Sequence, residues 1–194
     1  YRNFLNKIWN ANKFSKINNC KMSRKFKVNN AKLDINQWIY YELFKTNNSA
    51  KKYILNFRFD EAARVIYQFV WHSYCDWYIE FLKPIFNSKN KKNLDESRNM
   101  LAFIQANILI LLHPFIPFIT EKVWLDFKFN NYFKTSIMFK DWNIEKQSNF
   151  DKSYNKIDWL INLVSNIRST KVNLDVSPGS FINISIEELS LPKK

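Results

Sequence analysis

Glycine is all but missing from this 194-residue chain: Gly179 is the only one. A phosphate-cradling loop or a dinucleotide fingerprint needs several glycines at fixed spacing, so both are excluded. Turns must then be built on Asn, Asp and Ser, which suits helices joined by short polar links. Cysteine and histidine are equally scarce, with two of each. Cys20 and Cys75 stand far apart without a CxxC pairing, and His72 and His113 are isolated. No structural zinc site with ligand spacing can be assembled from them. This usage fits a reducing, cytoplasmic setting with both thiols buried or idle. No signal peptide and no long apolar span is written, because the longest apolar runs are broken by His113 or by charges.

Acidic residues are short as well, 17 against 30 Lys and Arg, for a formal charge of +13. The imbalance is concentrated in residues 1–33, which carry Arg2, Lys7, Lys13, Lys16, Lys21, Arg24, Lys25, Lys27 and Lys32 with no acid before Asp34. A block of one sign attracts polyanions in a salt-dependent way. Nucleic acid outranks a plain solvated face as the reason for it. Apolar residues make up 46% and aromatics 18%, enough for one substantial core and too many for a disordered tail.

The periodicity is helical almost throughout. Phe4, Leu5, Ile8, Trp9 and Ala11 mark a first helix over 2–18, followed by a polar basic loop over 19–32. Asp34 is placed to cap a helix reaching Leu55, with Asn47-Asn48 as its weak spot. Asp60 is placed to cap the next, whose buried stripe is Ala62, Ala63, Ile66, Phe69, Val70, Trp77, Phe81 and Leu82, and Pro84 is expected to end it. After the charged stretch 87–93 a fourth helix should span about 94–112. In LLHPFIPFITEKVW (111–124) the two prolines, Pro114 and Pro117, force a break near His113 and a restart. A short extended piece is expected at Ser136–Phe139, and a last helix from Asp151 to about Lys171. Beyond Ser177-Pro178-Gly179 the run FINISI alternates like a strand. The expected fold is mainly α, an antiparallel helix bundle over 1–176, with the beginning of a small α/β module over 177–194. A chain opening at Tyr1 and closing on Pro192-Lys193-Lys194 just after a strand-like run is expected to be a piece of a longer polypeptide.

Four segments, in order, resemble the valyl-tRNA synthetase family of class I aminoacyl-tRNA synthetases. They are YRNFLNKIWNANKF, FRFDEAARVIYQFVWHSYCDWYIEFLKP with its CDWY tetrapeptide, LLHPFIPFITEKVW, and IRSTKVNLDVSPG. The double-proline segment is shared with the isoleucine and leucine relatives, whereas the last segment favours valine. The resemblance implies an anticodon-binding domain that carries no chemistry itself. Attachment of valine to tRNA(Val), with its use of ATP, would belong to a catalytic domain of the same polypeptide, and editing to another. Lys21-Met22-Ser23-Arg24-Lys25 reads like that family's ATP-binding signature. It stands after the first bundle helix instead of before it, and has neither a partner histidine pair nor a surrounding α/β sheet, so coincidence in a Lys-rich loop is the better reading.

No nucleophile–base pair or acid/base carboxylate pair survives inspection. His113 is most simply a partner for carbonyls freed at the break, His72 and Asp76 read as a surface pair, and Asp76, Glu80 and Lys83 as a salt-bridged face. Binding is better supported. Gripping an unstacked anticodon loop takes cations, amides and flat rings. The resemblance implies tRNA contacts at Asn10 and Lys13, with Arg2 and Lys7 nearby and Arg168 and Lys171 near the end of the last helix. Lys13 stands where an Arg is more usual, which keeps the charge but loses the bidentate fork. Trp9 is assigned to the core in preference to a stacking platform, and Trp71, Trp77 and Trp124 are assigned to the core on the same ground. Two alternatives stay open: the same domain of an isoleucyl or leucyl enzyme, or a non-enzymatic basic helical scaffold for RNA.

Overall fold

A computed structural model describes residues 2–147, 150–177 and 179–185. Among them lie eight α-helices: α1 Arg2–Ile17, α2 Asp34–Leu55, α3 Phe59–Gln68, α4 Ile79–Phe86, α5 Lys91–Leu112, α6 Pro117–Asp126, α7 Phe129–Phe133 and α8 Asp151–Asn173. A π-helical stretch, Phe69–Tyr78, joins α3 to α4 in one rod, and 3-10 turns occupy Val28–Asn30 and Ile137–Phe139. Two compact units are present, Tyr1–Ile157 and Asp158–Lys194.

Cross-helix pairs give the direction of each element in the first unit. Tyr78 reaches Asn36 and Ser73 reaches Glu42, so the α3–α4 rod runs back along α2. Gln105 meets Asn12 and Arg98 meets the Asn18 carbonyl, so α5 runs opposite to α1. Helices α1, α2, the rod and α5 therefore alternate in direction, as short connections require. The core between them holds Ile8, Ile39, Leu43, Ile66, Val70, Leu82, Met100, Leu101 and Ile104, all 3% exposed or less. Each such side chain contributes roughly 1.5–3 kcal/mol of burial. A second cluster forms where α5 meets α6 and α7, around Leu109, Ile110, Val123, Trp124, Phe129 and Ile137.

The double-proline break behaves as the sequence dictates. Helix α5 stops at Leu112, and the amides of Phe115 and Ile116 both return to the Leu112 carbonyl at 3.0 and 2.9 Å. Pro117 restarts the chain at the first position of α6, where its missing N–H costs nothing. His113 does not serve the freed carbonyls directly. Its Nδ1 lies 2.8 Å from the Thr120 hydroxyl, which in turn reaches the carbonyls of Ile116 and Pro117 at 3.0 and 2.9 Å.

Several local expectations are corrected. Asp34 is the first residue of α2 and not its cap. The orphan amides of Lys32 and Leu33 donate instead to the carboxylate of Glu96, at 3.1 and 3.0 Å. Asp34 bonds Ser153 and Lys156 from α8. Asp60 likewise lies inside the first turn of α3, after Arg58 at the cap position. Pro84 does not end its helix, which runs on to Phe86. Glu80 and Pro84 are both exposed, so water can satisfy the Glu80 carbonyl, while Phe86 packs 5.6 Å from Phe14. Helix α5 starts at Lys91, three residues early, because the Asn90 side chain accepts the Asn93 amide. Residues Ile137–Phe139 form a 3-10 turn in place of an extended piece. No strand occurs among the described residues, so Phe181 to Ser185 of the FINISI run are not in a sheet, and Ile186 lies outside the described residues.

In the second unit, α8 ends at Asn173, and Asp175 takes a left-handed φ of 52°. The amides of Leu174 and Val176 fold back onto Thr170 and Lys171, closing the helix end.

Candidate nucleic-acid interface

Helix α1 has two faces with different chemistry. Ile8 and Ala11 are buried together with the polar Asn12 and Ser15, flanked by half-buried Phe4, Leu5 and Phe14. The opposite face exposes Arg2, Asn6, Trp9, Asn10, Lys13 and Lys16, and no acid occurs anywhere on the helix. Positions three and four apart share a face, so Asn6, Trp9, Asn10 and Lys13 present amides, an indole and an ammonium within about two turns. Lys16 approaches Asp126 at 3.8 Å, so part of its charge is answered within the protein.

Trp9 is 45% exposed, which overturns its assignment to the core. Its place one residue beyond Ile8, off the stripe of Ile8, Ala11 and Ser15, is the signal that separates it from the buried face. Trp124 is fully buried, as expected, and Trp71 and Trp77 are partly so. Asn6 belongs to the same outward face and was not singled out by the sequence, where it reads as one Asn among many.

Lys7 differs from its neighbours. Its ammonium lies 2.5 Å from Asp76 Oδ1 and 3.9 Å from the centre of the Trp71 ring. The other Asp76 oxygen faces His72 Nδ1 at 3.3 Å. Lys7 thus ties α1 to the π-helical stretch. Asp76 is the node of this cluster, while Glu80 pairs with Lys83 at 2.6 Å, the salt-bridged face the spacing predicts.

The basic loop after α1 is pinned from below. Cys20 is buried beneath it, and Met22 packs against the second hydrophobic cluster. The Ser23 amide donates to Asn99 Oδ1 at 2.7 Å, and Glu96 gathers the amides of Lys32 and Leu33 with the side-chain amide of Asn36 at 2.8 Å. Lys21-Met22-Ser23-Arg24-Lys25 is therefore an anchored connection between bundle helices. Burial pushes the Cys20 thiol up to about 11 and the Cys75 thiol to about 12, which leaves both poor nucleophiles at neutral pH. No group of His, Cys, Asp and Glu suited to hold a metal occurs among the described residues, and no helix there is long and apolar enough to cross a membrane.

Arg168 and Lys171 belong to the second unit. With Val164, Ile167, Val172 and Val176 they line a concavity of about 610 Å³, and the Lys171 ammonium donates to the Ser180 carbonyl at 2.7 Å.

Residues 36–186 match the family described as the anticodon-binding domain of tRNA ligase. The chain is 50% identical over 190 residues to a valine–tRNA ligase of Pelagibacter ubique, covering 98% of this chain and 22% of that protein. The corresponding enzyme of Agrobacterium fabrum is 37% identical over 187 residues, 96% of this chain and 20% of the relative. That of Zymomonas mobilis is 36% identical over 200 residues, covering the whole of this chain and 22% of the relative. The chain thus spans about one fifth of the length of these relatives. Helix α1 precedes the residues matched by the family description but falls almost wholly within the span shared with the first relative, since only four of the 194 positions are left out there. With a bundle of the expected kind and a family match over most of its length, this chain belongs to the anticodon-binding domain family of tRNA ligases.

Proposed function

We propose that this chain is the tRNA-binding bundle of a valine–tRNA ligase, gripping the anticodon stem-loop of tRNA(Val) and contributing affinity and tRNA choice to the attachment of valine. The observation that carries this reading is the acid-free outward face of α1, where Arg2, Asn10 and Lys13 stand exposed. Arg2 and Lys13 meet phosphate, and Asn10 reads a base edge with its paired donor and acceptor. Lys7 acts from beneath, holding α1 to Asp76 and Trp71 so that this face keeps its orientation. Arg168 and Lys171 contact tRNA backbone from the second unit. ATP is consumed, and valine transferred, by a catalytic domain of the same polypeptide, which is the second partner of the bundle. The bundle extends to about residue 176, and a following module begins at 177. The setting is the cytoplasm.

The test is affinity for a valine tRNA transcript and for the same transcript with its anticodon exchanged, across a salt series. A clear loss on exchange, with the salt slope unchanged, is expected. Equal binding to both would withdraw base reading and leave the basic scaffold as the better account, since its grip is purely electrostatic.

A further inference from the structure

We propose that Trp9 is the platform on which an unpaired nucleobase of the bound RNA stacks. The inference rests on the nucleic-acid reading of α1 given above and adds to it a residue and a role. Trp9 leaves 45% of its surface in water although the first unit offers a large core in which to bury it. Its ring pairs with no other aromatic ring among the described residues, whereas Phe4, Tyr67 and Trp71 one helix face away stack on each other at centroid distances of 4.8 to 6.5 Å. An indole held open in this way keeps a flat apolar face available, and covering it on binding would be favourable, because a buried aromatic of this size is strongly stabilising.

What surrounds the ring selects the occupant. Asn6 stands one turn before it, Lys13 one turn after, and Asn10 beside it, all exposed. Arg2 extends the same face, and no carboxylate lies on α1. An apolar peptide would strand these amides and cations without partners. A nucleotide uses all three kinds of group at once: its base against the indole, its edge toward Asn6 or Asn10, its phosphate toward Lys13 or Arg2. Duplex RNA does not fit, because its bases already stack on each other. The ligand is an unpaired stretch, such as a loop.

Stacking and charge leave different thermodynamic signatures, and this makes the role testable. Every base has a flat face, so a stacking platform adds affinity with little preference, and it releases no counterions. The experiment uses the full chain and an RNA hairpin carrying the anticodon stem and loop of a valine tRNA, with 2-aminopurine replacing one loop base at a time. Trp9→Ala should weaken binding by about five- to 150-fold, the range for losing one base–aromatic stack. The salt slope should stay unchanged, and Trp9→Phe should recover part of the loss. Lys13→Ala should instead lower the slope by about 0.7 to 0.9, the value of one phosphate contact. Quenching of 2-aminopurine at one loop position should disappear in Trp9→Ala. Thermal melting of each variant guards against misfolding, and Trp9 is exposed enough for its removal to leave the fold intact.

If Trp9→Ala binds as tightly as the unchanged chain while Lys13→Ala and Asn10→Ala weaken, the stacking role is overturned and the nucleic-acid reading stands. If the unchanged chain does not bind the hairpin at all, both fall. A loss in Trp9→Ala accompanied by a lower salt slope would also overturn stacking, since it would mean that the ring only positions the neighbouring cations.

Discussion

Glu96 is the residue whose removal should expose most clearly how the basic loop is held. Its carboxylate accepts the backbone amides of Lys32 and Leu33 at 3.1 and 3.0 Å and the Asn36 side-chain amide at 2.8 Å. Asn36 is itself fully buried, accepts the Tyr78 hydroxyl at 2.8 Å and has only a long 3.4 Å contact to Ser97 as a second outlet for its amide. Glu96→Ala therefore removes the substitute cap of α2 and strips a buried amide in one step. Lys32 is exposed, so water can replace one of the three bonds. The loss of a cap is worth about 1 kcal/mol and a bond to a charged acceptor about 1.5–3, and because the bonds share one carboxylate they do not add fully, giving about 3 kcal/mol in all. For a chain of this size that lowers the melting midpoint by about 6–12 °C. Glu96→Gln should lose about half as much, because one oxygen remains while its amide faces other donors. Urea denaturation followed by far-UV circular dichroism measures both, with the m-value as a check that the transition has kept its size. A Glu96→Ala midpoint that corresponds to less than about 0.5 kcal/mol of loss, the range of an ordinary surface substitution, would refute the anchoring role.

Two further outcomes are expected. The Asp34 carboxyl is held below its ordinary value of 3.8, first by the hydrogen bond from the Lys156 ammonium and further by Ser153. A lowered carboxylate value stabilises the folded state above the unfolded value and loses that contribution as pH falls through the folded one. The stability gap between the unchanged chain and Asp34→Asn should thus be constant near neutrality and close below pH 3.8, as read from urea midpoints; a gap that persists unaltered to strong acid would contradict the pairing. Cys20 and Cys75, buried with thiols at about 11 and about 12, should resist a disulfide reagent at pH 8 in the folded chain and both react at once in urea; rapid labelling of either without denaturant would show that its helix opens locally.

The parts of the fold legible in the sequence are those that follow from local sterics or from a helical period. Pro114 and Pro117 remove backbone donors wherever they stand, so the break after α5 could be read without knowing what packs there. The buried stripe running from α3 into the π-helical stretch was equally plain in Ala62, Ile66, Phe69 and Val70. What escaped depends on partners distant in sequence. Glu96 replaces Asp34 as the cap of α2 from some 60 residues away, a choice that no local pattern encodes. The π-helical register of Phe69–Tyr78 keeps the same apolar residue types as an α-helix and alters only which carbonyl each amide meets, as where Ile79 bonds Tyr74. At the candidate interface, charge and amides were visible as residue types. The fate of Lys7 was not, because Asp76 lies 69 residues away. Trp9 was misjudged for a different reason: tryptophan composition favours the interior, and only its angle on α1 argued otherwise.

The pinning of the loop between α1 and α2 has a consequence for the heat and speed of binding. A basic arm that dangles must be immobilised by its ligand, and every side chain fixed in that moment subtracts from affinity. Here Ser23 is tethered to Asn99, Lys32 and Leu33 to Glu96, and Cys20, Met22 and Ala31 are set into or against the core, so the backbone under Lys21, Arg24, Lys25 and Lys27 is already in place. The backbone that carries these cations is preorganised, so the positions from which their side chains reach out are set before any polyanion arrives. An anion that matches their spacing loses little entropy on docking and one that does not gains little from the charge, so a loop whose only charges are lysine and arginine heads can still discriminate by shape.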